Sequence, residues 1–219
     1  MIFPKAVLFD FDGVVVDSYE AHYTAWGIAF FELFSTKIAP FPHQSHAGKS
    51  PMIIAQYFCE QIGKTDQTEK LFLKKGEHLH KGLIAPKLLP GVNELQQLLS
   101  KRNTPFGIAS NATKKFIKNS IQQLDIKFDV FMGVEDYEFP KPHPEAYISL
   151  AKKLNINVSD YKNTWVFEDS ITGTKAAKSA GMLPIGILTQ YSKKELKEAG
   201  SFMVFPTLLE AYQYLTPLS

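Results

Sequence analysis

Carboxylates recur where short apolar runs stop. In AVLFDFDGVVVDS, residues 6–18, Asp10 and Asp12 follow such a run one residue apart, and Gly13 comes next. TWVFEDS, residues 164–170, ends another run on Glu168 and Asp169, and PFGIASN, residues 105–111, ends a third on Ser110 and Asn111. Side chains two apart on an extended chain point the same way, so Asp10 and Asp12 can converge if the backbone stays extended, and Gly13 then permits a sharp exit. Carboxylates held at one rim repel. Even a pair ~4 Å apart costs a few kcal/mol at intermediate dielectric, so a cation is expected among them. An oxygen-only set, with no His or Cys cluster nearby, favours a hard ion, and few protein ligands completed by water and phosphate suit Mg2+. The plainer alternatives are an acidic turn at Asp10–Gly13 and, for Glu168 and Asp169, charges that favour the start of a following helix.

A carboxylate beside Mg2+ can attack phosphorus to give an aspartyl phosphate, which water then hydrolyses. A second carboxylate can protonate the leaving oxygen and later deprotonate the water. The dianionic phosphoryl group also needs a positive charge and hydrogen-bond donors that withstand desolvation. FPKPHPEAY, residues 139–147, offers Lys141 between two prolines that fix the local backbone and keep it out of a helix before Pro144. Ser110 and the backbone N–H groups after it offer the donors. A loop lysine at the surface and a serine N-cap are the simpler fates of these two residues.

These residues need a scaffold that brings strand ends together. Short runs, apolar throughout, occupy residues 5–10, 105–110, 129–133, 164–169, 183–188 and 202–205, which suits parallel strands covered on both faces. Helical patterns lie between them, with boundary signals. Ser192 with Glu195, and Thr207 with Glu210, form Ser/Thr-x-x-Glu boxes; Gly200 follows the first helix, and Pro144 sits at the first turn of another. The alternation predicts an α/β fold, a doubly wound, Rossmann-like parallel sheet. One region breaks it. Between the first strand and residue 105 the chain reads only as helices, and a single crossover helix would suffice there. The expected domains are therefore an α/β catalytic core of residues 1–16 and 87–219 and an inserted α-helical cap of 17–86. The insertion leaves after the carboxyl end of the first strand, where open α/β sheets bind ligands, so it should roof the site. Val16–Ser18 and Ala85–Pro90 are the expected hinges of a gating motion.

Composition sets the outer bounds. With 219 residues the chain can bury a substantial core, and a formal charge of +2 gives no reason to expect nucleic acid. The one cysteine, Cys59, excludes an internal disulfide and reads as buried helix filler. The N-terminus lacks a signal-peptide pattern and no apolar run reaches the ~20 residues of a membrane helix, so a cytoplasmic protein with no membrane partner is expected. A monomer is the default, with a homodimer as the alternative.

The set DFDG, then Ser110, then Lys141 in KPHPE, then EDS, in this order over nearly the whole chain, resembles the haloacid dehalogenase superfamily of phosphotransferases. The helical insertion resembles that superfamily's small cap. The resemblance implies that Asp10 is the nucleophile and Asp12 the general acid/base. It implies that Asp10, the backbone carbonyl of Asp12 and Asp169 hold Mg2+ with Glu168 close by or linked through water, and that Ser110 and Lys141 bind the phosphoryl group. Asn111, beside Ser110, joins the expected substrate-binding residues. DGVVVDSYEAHYTAW is most similar to the β-phosphoglucomutase-like branch, in which a histidine of the first cap helix, here His22, assists at the site. That mutase carries a cap-loop arginine for a second phosphate, whereas HAGKSPM, residues 46–52, has Pro51 at the aligned place. Gly48 and Lys49 are the cap residues expected to meet substrate instead.

HAGKS also imitates the tail of a nucleotide-binding P-loop, but His43 stands where the motif needs its first glycine. His78 and His80 are two apart on an expected helix, so their rings face different sides. Trp26, Phe30, Phe31 and Phe34 read as cap core rather than as a stacking platform. The expectation is a Mg2+-dependent phosphatase of a small phosphorylated metabolite, a sugar phosphate being one candidate. Its rivals are a sugar phosphate isomerase of the β-phosphoglucomutase type and a non-catalytic domain that binds a phosphorylated ligand.

Overall fold

The computed structural model describes residues 2–38 and 51–218. The chain divides into two compact units, one of residues 1–17 and 87–219 and one of residues 18–86.

The first unit is built on a six-stranded parallel sheet. Its strands are β1 (Ala6–Phe9), β4 (Phe106–Ala109), β5 (Phe131–Met132), β6 (Thr164–Glu168), β7 (Leu183–Ile187) and β8 (Met203–Phe205), in the spatial order β5-β4-β1-β6-β7-β8. Every residue of β1 and β6 is buried, as the unbroken apolar runs require of strands covered on both faces. Helices α4 (Val92–Lys101), α5 (Lys114–Gln123), α6 (Glu145–Lys153), α7 (Ile171–Ser179), α8 (Lys193–Ala199) and α9 (Leu208–Leu215) alternate with the strands. The Ser192/Glu195 and Thr207/Glu210 capping boxes both form, and Gly200 ends α8 in the left-handed region. Pro144 is the N-cap of α6, one residue earlier than the pattern predicts.

The strand order decides where chemistry can occur. From β1 the chain builds β4 and β5 on one side, then crosses to place β6, β7 and β8 on the other. The carboxyl ends of β4, β1 and β6 are therefore adjacent at a switch in winding direction, where the sheet opens a crevice. An element absent from the sequence reading is a second, two-stranded sheet in which β2 (Val16–Asp17) runs antiparallel to β3 (Lys87–Leu88). Two-residue strands carry no measurable periodicity, and the partners lie 70 positions apart, so no local signal announces them.

The helical unit contains α1 (Tyr19–Phe34), α2 (Pro51–Gln61) and α3 (Thr68–His80). Trp26, Phe30, Phe58, Leu71 and the free thiol of Cys59 form its core. Phe31 departs from the expected core role: it is 55% exposed, because its position on α1 lies outside the arc that carries Trp26, Ala29 and Phe30. Ser50, the expected cap of α2, lies outside the described residues. No helix among the described residues is long and apolar enough to cross a membrane.

Candidate active site

Asp10 stands one residue past β1, and its N–H still donates to the Phe167 carbonyl of β6 at 2.9 Å. The chain then turns tightly, with the Phe11 carbonyl accepting from the N–H groups of Val15 and Val16 and the Gly13 N–H donating to the Val16 carbonyl at 2.7 Å. Gly13 adopts φ +81°, open to glycine at no steric cost. A Cβ at that position would fall 1.8 Å from Asp169 Oδ2, so the turn runs against the Asp169 carboxylate.

Asp10, Glu168 and Asp169 are all buried, and each offers a carboxylate oxygen within 4.8 Å of the others. This group does not include the Asp12 carboxylate. Asp12 is half-buried and bridges through its backbone to Val16. Lys141 reaches in from the loop before α6, where the Lys141–Pro142 peptide bond is cis. Its buried ammonium donates to Asp10 Oδ1 at 2.7 Å, to Glu168 Oε1 at 2.8 Å and to the Tyr147 hydroxyl at 2.7 Å. An ammonium has three donors and no acceptor, so these contacts use all three. The Tyr147 proton must then point elsewhere, and it goes to Glu168 Oε1. Glu168 Oε2 accepts from the Ser170 N–H at 3.3 Å and the Ser170 hydroxyl at 2.9 Å. A Cβ on Gly173 would fall 1.7 Å from Glu168 Oε1, so α7 also presses against this carboxylate.

Charge and burial act against one another here. Burial pushes the Asp10 carboxyl up to about 7; the Lys141 charge opposes the rise and Glu168 adds to it. Burial, with the charges of Asp10 and Glu168, holds Asp169 well above the usual carboxylate range. Burial alone would lower Lys141, but the carboxylates of Asp10 and Glu168 outweigh it and keep the ammonium above its ordinary value. Three buried carboxylates thus face one cation. Asp169 Oδ2 is buried without a hydrogen-bond partner. An orphaned buried acceptor beside surplus negative charge fits a divalent cation with hard oxygen ligands.

Ser110 and Asn111 follow β4, beside Asp10. The Ser110 hydroxyl oxygen accepts from the Ala112 N–H at 3.1 Å, which leaves its proton to donate. Thr113, not Ser110, is the N-cap of α5, because its side chain accepts from Phe116 N–H. The Asn111 side-chain oxygen faces inward and accepts from the Lys141 N–H at 3.2 Å.

Asp10, Glu168, Asp169, Lys141 and the Ser110–Asn111 turn therefore gather at the ends of three adjacent strands. His22 lies in the helical unit on α1, with Nδ1 2.8 Å from Lys75 Nζ, and Gly48 and Lys49 fall outside the described residues. Tyr137, Tyr147 and Lys75 went unnoticed in the sequence. Tyr147, at an apolar helix position, reads as core, Tyr137 lies between Asp136 and Glu138 in a segment with no regular pattern, and a lysine between polar helix residues reads as solvated; Lys75 is in fact 3% exposed.

The profile of the haloacid dehalogenase-like hydrolase family matches residues 7–187. YhcW of Bacillus subtilis is 30% identical over 187 residues, covering 81% of this chain and 80% of that one. The Phosphorylated carbohydrates phosphatase of Thermotoga maritima is 28% identical over 204 residues, covering 90% and 92%. Among solved structures, the beta-phosphoglucomutase of Clostridium difficile superposes with a TM-score of 0.79 at 25% identity, covering all of this chain and 97% of that one.

Proposed function

Because the chain belongs to the haloacid dehalogenase-like hydrolase family, we propose that it is a Mg2+-dependent phosphatase of small phosphorylated metabolites, sugar phosphates in particular, acting through Asp10. The observation that carries this reading is the buried contact of Lys141 Nζ with Asp10 Oδ1 at 2.7 Å, beside the unpartnered Asp169 Oδ2. Bound Mg2+ would be held by Asp10, the Asp12 carbonyl and Asp169, with Glu168 close by, and would offset the negative charge of carboxylates and phosphoryl oxygens.

Asp10 is the nucleophile in this reading. One of its carboxylate oxygens bonds to phosphorus as the bond from phosphorus to the ester oxygen breaks, and Asp12 gives that oxygen a proton. Water then attacks phosphorus, Asp12 takes its proton, and the bond to Asp10 breaks to release inorganic phosphate. Lys141, turning to the substrate the donor that otherwise goes to Asp10, and the Ser110 hydroxyl hold the phosphoryl oxygens through both steps. Glu168, both of whose oxygens accept protein donors, anchors Lys141.

Sugar phosphates lead the candidates because the Thermotoga relative is named for phosphorylated carbohydrates and a relative from Arabidopsis thaliana is named a glycerol-3-phosphatase. The beta-phosphoglucomutase of B. subtilis, 26% identical over 194 residues, supports a second reading as a sugar phosphate isomerase, and the Lys75 ammonium, which donates to His22 Nδ1, gives the helical unit a positive charge that such a reading could use. Pro51, which can neither donate a hydrogen bond nor carry charge, favours hydrolysis. Incubation with a panel of sugar phosphates and Mg2+ should release inorganic phosphate, and Asp10→Asn should stop it. Conversion of β-glucose 1-phosphate to glucose 6-phosphate with little free phosphate would establish the isomerase instead.

A further inference from the structure

The loop that delivers Lys141 and the turn that delivers Ser110 come from different strands, and one side chain ties them. Tyr137, 8% exposed, shares an apolar cluster with Ala109, Met132 and Ala146. Its hydroxyl contacts the Ser110 carbonyl at 2.5 Å and Asn111 Oδ1 at 3.2 Å. The same Asn111 oxygen accepts the backbone N–H of Lys141 at 3.2 Å. Donor and acceptor arithmetic leaves one assignment. The Lys141 N–H can only donate, so the oxygen of the Asn111 amide must face it; both neighbours of the Tyr137 hydroxyl are then acceptors, and its single proton serves chiefly the nearer Ser110 carbonyl. Burial holds the phenol above the ordinary tyrosine range, so it stays a donor at any working pH.

We propose that Tyr137 is a positioning residue whose hydroxyl latches the Ser110–Asn111 turn to the Lys141 loop, holding the two phosphoryl-binding segments at their working separation. The proposal rests on the phosphatase reading and names a residue through which that site is held rather than one that touches substrate. Lys141 is thereby restrained at both ends, its backbone through Asn111 and its ammonium through Asp10, Glu168 and Tyr147. Without the phenol oxygen, a buried carbonyl loses its side-chain donor and the turn is free to shift.

Tyr137→Phe removes that oxygen and keeps the ring. Calorimetric titration with inorganic phosphate in the presence of Mg2+ should show the dissociation constant rising about tenfold, the scale of one lost hydrogen bond, with KM rising alongside it. Asn111→Ala should weaken phosphate binding comparably, and the double variant should lose little beyond either single change, because the two hydrogen bonds hold the same pair of segments and loss of either frees the turn. It also tests the latch independently should Tyr137→Phe fold poorly. A Tyr137→Phe protein with a lowered unfolding midpoint but wild-type phosphate affinity, or losses that add in full, would overturn the latch alone. A wild-type protein that neither binds nor releases phosphate would overturn the phosphatase reading and the latch with it.

Discussion

Gly13 and Asp169 lie so close that a methyl group on residue 13 would sit 1.8 Å from the Asp169 Oδ2 atom, which is itself buried without a partner. The turn after β1 and the end of β6 are thus fitted to one another across 156 positions of sequence. Gly13→Ala should be doubly unfavourable: φ +81° costs an L-residue about 1–2 kcal/mol, and the new Cβ must displace the carboxylate. The expected outcome is a lowered unfolding midpoint together with loss of phosphate release, read by thermal denaturation and a phosphate assay.

Among the described residues, Lys141 is the single cation facing three buried acids. Lys141→Met keeps the bulk of the stem but leaves Asp10 and Glu168 without their ion-pair partner, a change that costs about 3–5 kcal/mol in comparable buried pairs. Phosphate release should fall about a hundredfold or more, since a donor to the phosphoryl oxygens is lost as well. Added Mg2+ should recover part of the stability and little of the rate; equal stability of variant and wild type without metal would refute the ion-pair account.

Chelation should abolish turnover, and Mg2+ should restore it. Metal at a hundred times its dissociation constant adds about 2.7 kcal/mol to stability by mass action. Asp169→Asn should erase that stabilisation. The same variant should be no less stable than wild type in the absence of metal, because burial and the neighbouring acids already disfavour the Asp169 charge. Differential scanning calorimetry with and without chelator checks both arms.

Asp136 accepts from the Gly133 N–H at 3.1 Å and from the Lys114 ammonium at 2.8 Å, which pins the turn leading to Tyr137 onto the start of α5. Burial works against its charge, but these bonds prevail and hold the carboxyl below its usual value. A carboxyl depressed in the folded state stabilises fully above the unfolded value of ~3.9 and loses that contribution as pH falls through the folded one. Asp136→Asn should therefore cost on the order of 1 kcal/mol at neutral pH, trimmed by salt because Lys114 is partly exposed, and the difference from wild type should shrink below about pH 4. Urea titrations at the two pH values decide it.

How much was legible in the sequence differs residue by residue. Asp10, Asp12, Glu168 and Asp169 stood out because polar residues at the end of apolar strands need a reason. Lys141 stood out because two prolines bracket it. Tyr147 did not, since a tyrosine in an apolar pattern signals burial of its ring and says nothing of where its hydroxyl ends, and Tyr137, between Asp136 and Glu138, carries no periodic signal at all. The expectation for Asn111 was a role toward substrate, and that its oxygen also accepts a backbone N–H thirty positions away is visible only in the fold.

Sequence alone determined the alternation of strands and helices, the place of the insertion and the four segments that carry chemistry, because apolar periodicity, caps and turns are local properties of the chain. Tertiary structure decided which of those segments became neighbours. Placing β1 between β4 and β6 gathers Asp10, Ser110 and Asp169 at one edge, and their charges, bonds and burial are set by those neighbours rather than by anything adjacent in sequence.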